Sequence, residues 1–252
     1  MGRTQLANIP TSKNSWLRAP FLVGKRVLTE RKLHRRGLKF RADDPSESAY
    51  AYDAMNAREF ANINACQEWA NWRTIPQQVR HVDIMGPWFI VDLGCGQGLS
   101  TEVLAWCSPV GSRILGYDLS ESALKLARSR RYRHASGEKT KVAWRTQSID
   151  EPWLDRNGEL ISNQSVTLVN ASGIVGHHLN SKQARLLASE ISRVMVPGGW
   201  AFLDVGPRIR RSQLRDIMES SGFRFQRHVK SCWLDPYGQS AFRLLPLPEE
   251  VR

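Results

Sequence analysis

Seven consecutive residues, Asp92-Leu93-Gly94-Cys95-Gly96-Gln97-Gly98, join a carboxylate to three glycines at alternate positions. Glycine admits positive φ angles and close approach of a ligand, and a helix that starts directly after such a loop offers unpaired N–H groups. The chemistry suggested is the cradling of a polar ligand between a strand end and a helix start. The spacing is G-x-G-x-G, because Leu99 follows Gly98, and so departs from the G-x-G-x-x-G of dinucleotide folds. Asp118, twenty residues past Gly98, can offer its carboxylate to both hydroxyls of a ribose. Further on, Gly176-His177-His178 supplies candidate general bases, since imidazole titrates near neutrality. No third ligand is spaced to join these histidines in a zinc site, so no metal is expected.

These residues need elements to hold them. From residue 86 onward, strand-like and helix-like segments alternate, as in a parallel sheet with helices on both faces. Trp88 to Leu93 is apolar until Asp92 and reads as a first strand buried on both sides. Later strands are expected at Arg113 to Tyr117, Lys141 to Arg145, Ser165 to Asn170 and Trp200 to Val205, with a final hairpin of Arg224 to Trp233 and Ser240 to Leu244. Helices are expected at Leu99 to Cys107, from a cap at Ser120, at Ser181 to Val194 and at Ser212 to Ser221, and Pro197-Gly198-Gly199 reads as a turn. The fold class is α/β, a doubly wound, mostly parallel seven-stranded sheet with an N-terminal helical extension. Residues 45–85 form that extension as a cap or lid, and residues 86–252 the main domain. Residues 1–44 are expected to be a flexible basic arm in which Pro10, Pro20 and Gly24 interrupt any long helix.

Charge is unevenly placed. The chain of 252 residues has a net charge of +12, yet residues 1–42 hold eleven lysines and arginines against a single acid, Glu30. A protein that bound nucleic acid with its catalytic face should carry the excess in the folded body instead. With 41% hydrophobic and 24% charged residues, and no apolar run near the ~20 residues of a membrane helix, a soluble globular protein without a membrane span is expected. Cys66, Cys95, Cys107 and Cys232 show neither C-x-x-C pairing nor metal-ligand spacing, which suits reduced thiols in the cytoplasm. The Arg-rich N-terminus also suits an organellar transit peptide.

The segment FIVDLGCGQGLS resembles the first motif of class I S-adenosylmethionine-dependent methyltransferases, and GYDLSESALKLAR resembles their second. VAWRTQSIDEPW, VNASGIVGHHLN and ISRVMVPGGWAFLDV are similar to the family's strand 3, strand 4 and strand 5 regions. The resemblance spans roughly residues 86 to 245 and implies a Rossmann-like methyltransferase fold with S-adenosylmethionine as cofactor. Carried over by position, it implies that Gly94, Gly96 and Gly98, with Cys95 among them, line the methionine and ribose side. Asp92 would help hold the amino group, Asp118 the ribose hydroxyls, and Leu119 would pack on adenine. Ser148 stands where many members have an acid for the adenine amino group, with Ile149 beside it and Asp150 two residues on. Asn170 and Ala171 stand where a backbone carbonyl often receives the methionine amine.

The acceptor is less legible. The chain lacks an Asn/Asp-Pro-Pro-aromatic tetrapeptide after strand 4, a Pro-Cys pair, a two-glutamate loop and an acidic magnesium cluster, which argues against amino groups of DNA bases, pyrimidine carbons, arginine side chains and metal-bound catechols. A small-molecule acceptor is the default expectation, with His177 or His178 as base and Trp69 and Trp72 as a lid. The alternatives are an RNA or protein methyltransferase tethered through residues 1–42, and a non-catalytic relative that keeps the cofactor fold. The oligomeric state is not legible.

Overall fold

A strand such as Phe89–Leu93, apolar on both faces, is stable only when both faces of its sheet are covered. The structure is a computed structural model and describes residues 9–10, 13, 15–38, 45–233, 235 and 237–246. Its strands are β1 (Phe89–Leu93), β2 (Arg113–Asp118), β3 (Lys141–Thr146), β4 (Val166–Ala171), β5 (Met195–Asp204), β6 (Phe223–Val229) and β7 (Gln239–Leu244). They form one seven-stranded sheet in the order β3-β2-β1-β4-β5-β7-β6, in which β7 alone runs against its neighbours. Helices α1 (Ala19–Arg35), α2 (Pro45–Asp53) and α3 (Ala57–Val79) precede the sheet. Within it come α4 (Leu99–Cys107), α5 (Glu121–Arg128), α6 (Val175–His178), α7 (Ser181–Val194) and α8 (Arg211–Glu219). Strand order reverses between β1 and β4, and in open sheets that crevice is where ligands bind.

Alternation along the strands divides the core into two layers. Val91, Leu93, Tyr117, Val169 and Leu203 face one layer, packed against α7 and α8. Ile90, Ile114, Leu168 and Phe202 face the other, where they meet Val103 and Leu104 of α4 and Trp72, Ile75 and Val79 of α3. The N-terminal extension is therefore built into the sheet's covering. Helix α1 packs on α3 through Leu22, Thr29 and Leu33, and its Lys32 and Arg36 reach the Glu59 carboxylate at 2.8 and 2.9 Å. The Lys32 hydrogen bond holds the Glu59 carboxyl at about 2, outweighing the opposing effect of burial.

Three local features differ from expectation. Ala19–Arg35 is one continuous helix, because Pro20 falls in the first turn, where an N–H has no intrahelical partner to lose. Gly24 lies inside it with open space beside it, so only its propensity cost remains. Pro197-Gly198-Gly199 is absorbed into β5 as a bulge: Met195 pairs with Val166 and Trp200 with Leu168, and the register shifts between them. Lys13, Arg18, Lys25 and Arg26 fall on described residues, whereas Arg3, Lys39 and Arg41 of the basic arm lie outside them. Among the described residues, no helix is long and apolar enough to cross a membrane.

The short helix α6 lies backbone on backbone against the end of β5. A Cβ at Gly176 would stand 2.0 Å from the Gly206 nitrogen and 2.1 Å from the Val205 carbonyl carbon. Neither neighbour is a flexible side-chain tip, so the contact has no cheap way to yield. We expect Gly176→Ala to lower unfolding free energy by about 1–3 kcal/mol, with α6 displaced. Urea titration checks this, and an unchanged midpoint would contradict the contact.

Candidate functional site

The loop after β1 owes its path to three left-handed glycines, Gly94 (φ 59°), Gly96 (φ 52°) and Gly98 (φ 81°). That path turns the Gly96 N–H onto Asp118 Oδ2 at 2.7 Å, while the Ser120 N–H donates to Asp118 Oδ1 at 2.9 Å. Asp118 is half-buried at the end of β2, and burial raises its pKa above the ordinary value against these backbone hydrogen bonds. Each oxygen keeps a further acceptor site, and the residue lines a cavity at the C-terminal edge of the sheet. Leu119, 40% exposed, lies beside it on the cavity wall. A Cβ at Gly96 would meet nothing within 4 Å, so the loop leaves open room where a ligand can approach the backbone.

The cavity gathers eight of the residues singled out from sequence: Gly94, Gly96, Asp118, Leu119, Ser148, Ile149, His177 and His178. Asp150 joins them, its carboxylate bonded to the Ser148 hydroxyl and to Gln183 Nε2, the latter at 3.1 Å. An acid therefore does stand after β3, two residues beyond the aligned position. Tyr52 of α2 meets the His178 ring edge-on at 6.4 Å, and Tyr237 meets His177 at 5.2 Å.

Five expected residues do not line it. Asp92 has no exposed surface: one oxygen accepts from the Ser100 and Thr101 hydroxyls at 2.8 and 2.5 Å, the other from Asn170 Nδ2 at 2.8 Å. These three bonds tie the loop to α4 and β4, and the buried carboxylate stands behind the cavity wall, not on it. Asn170 and Ala171 are equally buried, and Ser172, Gly173 and Ile174 take the wall in their place. Cys95 is buried, its thiol raised well above the ordinary range by burial. At Gly98 a Cβ would fall 2.0 Å from the Tyr132 hydroxyl, so this glycine serves the packing of Tyr132.

The expected lid is also different. Trp69 and Trp72 are 7% and 1% exposed; Trp69 packs edge-on to Trp16, and Trp72 lies in the core layer under the sheet. The opposite face of the same helix, Phe60, Ile63, Asn64 and Gln67, walls the cavity. Their spacing of i, i+3, i+4 and i+7 is one stripe of α3, and the polar members Asn64 and Gln67 hide it from a hydrophobic reading. Arg26 of α1 completes this wall.

Asp204 was not anticipated. Ending β5, its buried carboxylate accepts from the N–H groups of Ile174, Val175 and Gly176, each at 3.0 Å, and so pins the start of α6, which carries both histidines. The available signal was an acid closing the strand in AFLDVG, the pattern already present at Asp92 and Asp118.

Residues 90–199 match a family model described as a methyltransferase domain. The chain is 30% identical over 146 residues to a ubiquinone biosynthesis O-methyltransferase of Thiobacillus denitrificans, covering 57% of this chain and 56% of that protein. It is 32% identical over 154 residues to a trans-aconitate 2-methyltransferase of Paracidovorax citrulli, covering 60% and 49% respectively. The chain thus spans about half the length of these curated relatives. Among solved structures, the magnesium protoporphyrin IX methyltransferase of Synechocystis PCC 6803 with bound SAM shares the fold, with a TM-score of 0.54 at 15% identity over 81% of this chain and 93% of that one.

Burial pushes the Asp92 carboxyl up to about 6, against the hydrogen bonds from Thr101, Asn170 and Ser100 that lower it. The native chain keeps this proton over a range where the unfolded chain, titrating near 3.8, has lost it. Stability from this group is thus fully present below about pH 4 and is lost as pH rises through about 6. In Asp92→Asn that loss is absent. The variant should gain on wild type by up to about 3 kcal/mol between pH 4 and pH 7. Calorimetric unfolding of both proteins at the two pH values checks this; a pH-independent difference contradicts it.

Proposed function

We propose that the chain is a class I S-adenosylmethionine-dependent methyltransferase that transfers the methyl group of this cofactor to a small-molecule acceptor. The observation that carries the cofactor half is the pairing of open space at Gly96 with the Asp118 carboxylate on one cavity wall. Such a wall fits a ribose: Asp118 would accept its hydroxyls, while Leu119 and Ile149 would flank the adenine. Ser148 and Asp150 would meet the adenine amino group, and the backbone of Gly94 and Gly96 would line the methionine and ribose side. When bound, S-adenosylmethionine supplies an electrophilic methyl group on a sulfonium that departs as a neutral thioether.

The rest falls to the chain's own residues, chiefly alignment and the handling of a proton. His177 and His178 are presented by α6 on the cavity wall, and we assign to one of them the role of accepting the acceptor's proton. Tyr52, Phe60, Ile63 and Ile174 exclude water from one side, and Arg26, Asn64 and Gln67 give that side its polar contacts. The α3 face that closes over the cavity favours an acceptor small enough to enter, in keeping with relatives named for ubiquinone biosynthesis and for trans-aconitate. Part of the N-terminal positive charge is spent internally: Lys13 pairs with Glu68, and Lys32 and Arg36 with Glu59. That weakens the alternative of an RNA or protein acceptor tethered through residues 1–42. Within this reading, residues 86–252 hold the cofactor and residues 45–85 supply the acceptor wall. The four unpaired cysteines suit a reducing, cytoplasmic setting.

Calorimetric titration with S-adenosylhomocysteine tests the cofactor half. Wild type should bind, and Asp118→Ala should bind roughly 10- to 150-fold more weakly, the equivalent of about 1.5–3 kcal/mol for a charge-assisted pair. No binding by wild type overturns the reading, and equal affinities overturn the ribose assignment. Transfer of radiolabelled methyl to a panel of phenols and carboxylic acids tests the acceptor half, and binding with no transfer across the panel favours a non-catalytic relative. Once an acceptor is found, alanine at the true base should lower kcat by about 10²- to 10⁴-fold with cofactor affinity unchanged.

A further inference from the structure

Helix α1 has one side used and one side unused. Leu22, Thr29 and Leu33 are buried against α3, and Arg26 on the same side reaches the cavity wall. On the opposite side Leu17, Phe21 and Leu28 are 91%, 64% and 69% exposed. At i, i+4 and i+11 they share one face of the helix and the turn leading into it. The same face carries Lys25, Arg31 and Arg35, all exposed and without an acidic partner among the described residues. Lys25 sits over the Phe21 ring at 4.3 Å, which keeps its ammonium at the outer surface. The only acid on α1, Glu30, lies off this face beside Arg26.

We propose that this face docks on an anionic lipid surface. Exposed leucine and phenylalanine interleaved with lysine and arginine is the pattern of a helix that lies in a membrane interface. Its apolar side chains enter the acyl boundary, and its cations meet acidic headgroups. Long basic side chains place their charge at headgroup level while their stems lie along the apolar surface. Charge complementarity selects this occupant. A second copy pairing face to face would oppose cations with cations, and RNA phosphates would leave Leu17, Phe21 and Leu28 in water. Because Arg26 lines the cavity from the other side of the helix, docking brings the acceptor wall beside the membrane surface, where amphiphilic acceptors concentrate.

The test is co-sedimentation of the full chain with vesicles of phosphatidylcholine alone and of phosphatidylcholine mixed with phosphatidylglycerol. The expected result is binding to the mixed vesicles only, weakened by added salt. A triple variant, Leu17→Glu, Phe21→Glu and Leu28→Glu, should lose at least roughly tenfold in affinity. Arg31→Glu with Arg35→Glu should lose the preference for the anionic lipid. Circular dichroism and S-adenosylhomocysteine binding verify that each variant is folded, and they keep this result separate from the methyltransferase reading. Failure of wild type to sediment, or equal sedimentation of wild type and triple variant, overturns the proposal. So does an oligomer that the triple variant dissolves while vesicles go unbound, which would assign the face to a second copy. RNA retention lost only in the arginine variant, again without vesicle binding, would assign it to RNA.

Discussion

The carboxylate of Asp92, with no exposed surface, sits where β1, α4 and β4 converge. Its oxygens hold the first turn of α4 through Ser100 and Thr101, and β4 through Asn170. Asn170 Oδ1 in turn accepts from Gln239 Nε2 of β7 at 3.0 Å, and Gln78 of α3 donates to the Gln239 carbonyl at 3.0 Å. One polar thread thus crosses from the glycine loop through the sheet to the N-terminal extension. A buried polar group costs free energy wherever its partners are incomplete, so each member of the thread constrains the next. The loop's curvature, the height of the β4 end and the seating of α3 are consequently set together.

Three of the parallel strands carry an acid at their last or next-to-last residue, and burial decides what each acid does. Loops and helix starts that follow such strands present backbone N–H groups, and carboxylates complement them. At Asp92 hydroxyls and an amide take both oxygens. At Asp204 three N–H groups do so, and burial still pushes its carboxyl up to about 6. Only Asp118 combines bonds to its own loop with a place on the cavity wall. Similar sequence contexts thereby yield two structural carboxylates and one that faces the cavity. The distinguishing variable is the number of lone pairs left facing open space.

That variable is not written in the local sequence, which explains where reading the chain succeeded and where it stopped. Strand and helix periodicity, together with the cap at Ser120, are local properties; Leu99–Cys107 and Ser181–Val194 were legible to the residue, and the other sheet elements were off by at most five residues at their ends. The G-x-G-x-G loop and Asp118 were legible for the same reason, as spacing along a strand–loop–helix unit. Asp92, Cys95 and Gly98 share that motif but turn inward, and their burial depends on Thr101, Gly116 and Tyr132, contributed by other turns and strands. Trp69 and Trp72 were misread because aromatic residues on a helix declare that they pack, and not against what. The cavity stripe of α3 was missed because half of it is amide side chains, whose role depends on the cavity they face.

Helix α3 finally shows which part of the cavity wall is anchored in the core. Its second half is locked into the sheet's covering by Trp72, Ile75 and Val79 and by the buried Gln78 contact, so swinging the whole helix would expose a core layer. Helices α1 and α2 are held differently: a small cluster around Leu33, Leu38 and Ala51, the Glu59 ion pairs, and bonds from Ser120 and Ser122 to Asp53. Helix α1 packs along α3 through Leu22, Thr29 and Leu33, and the solvent-reachable ion pairs add little to that packing. Helices α1 and α2 supply the remaining side of the cavity wall. Those two elements carry Arg26 and Tyr52, so whatever moves them also rearranges the acceptor wall while leaving Asp118 and the glycine loop in place.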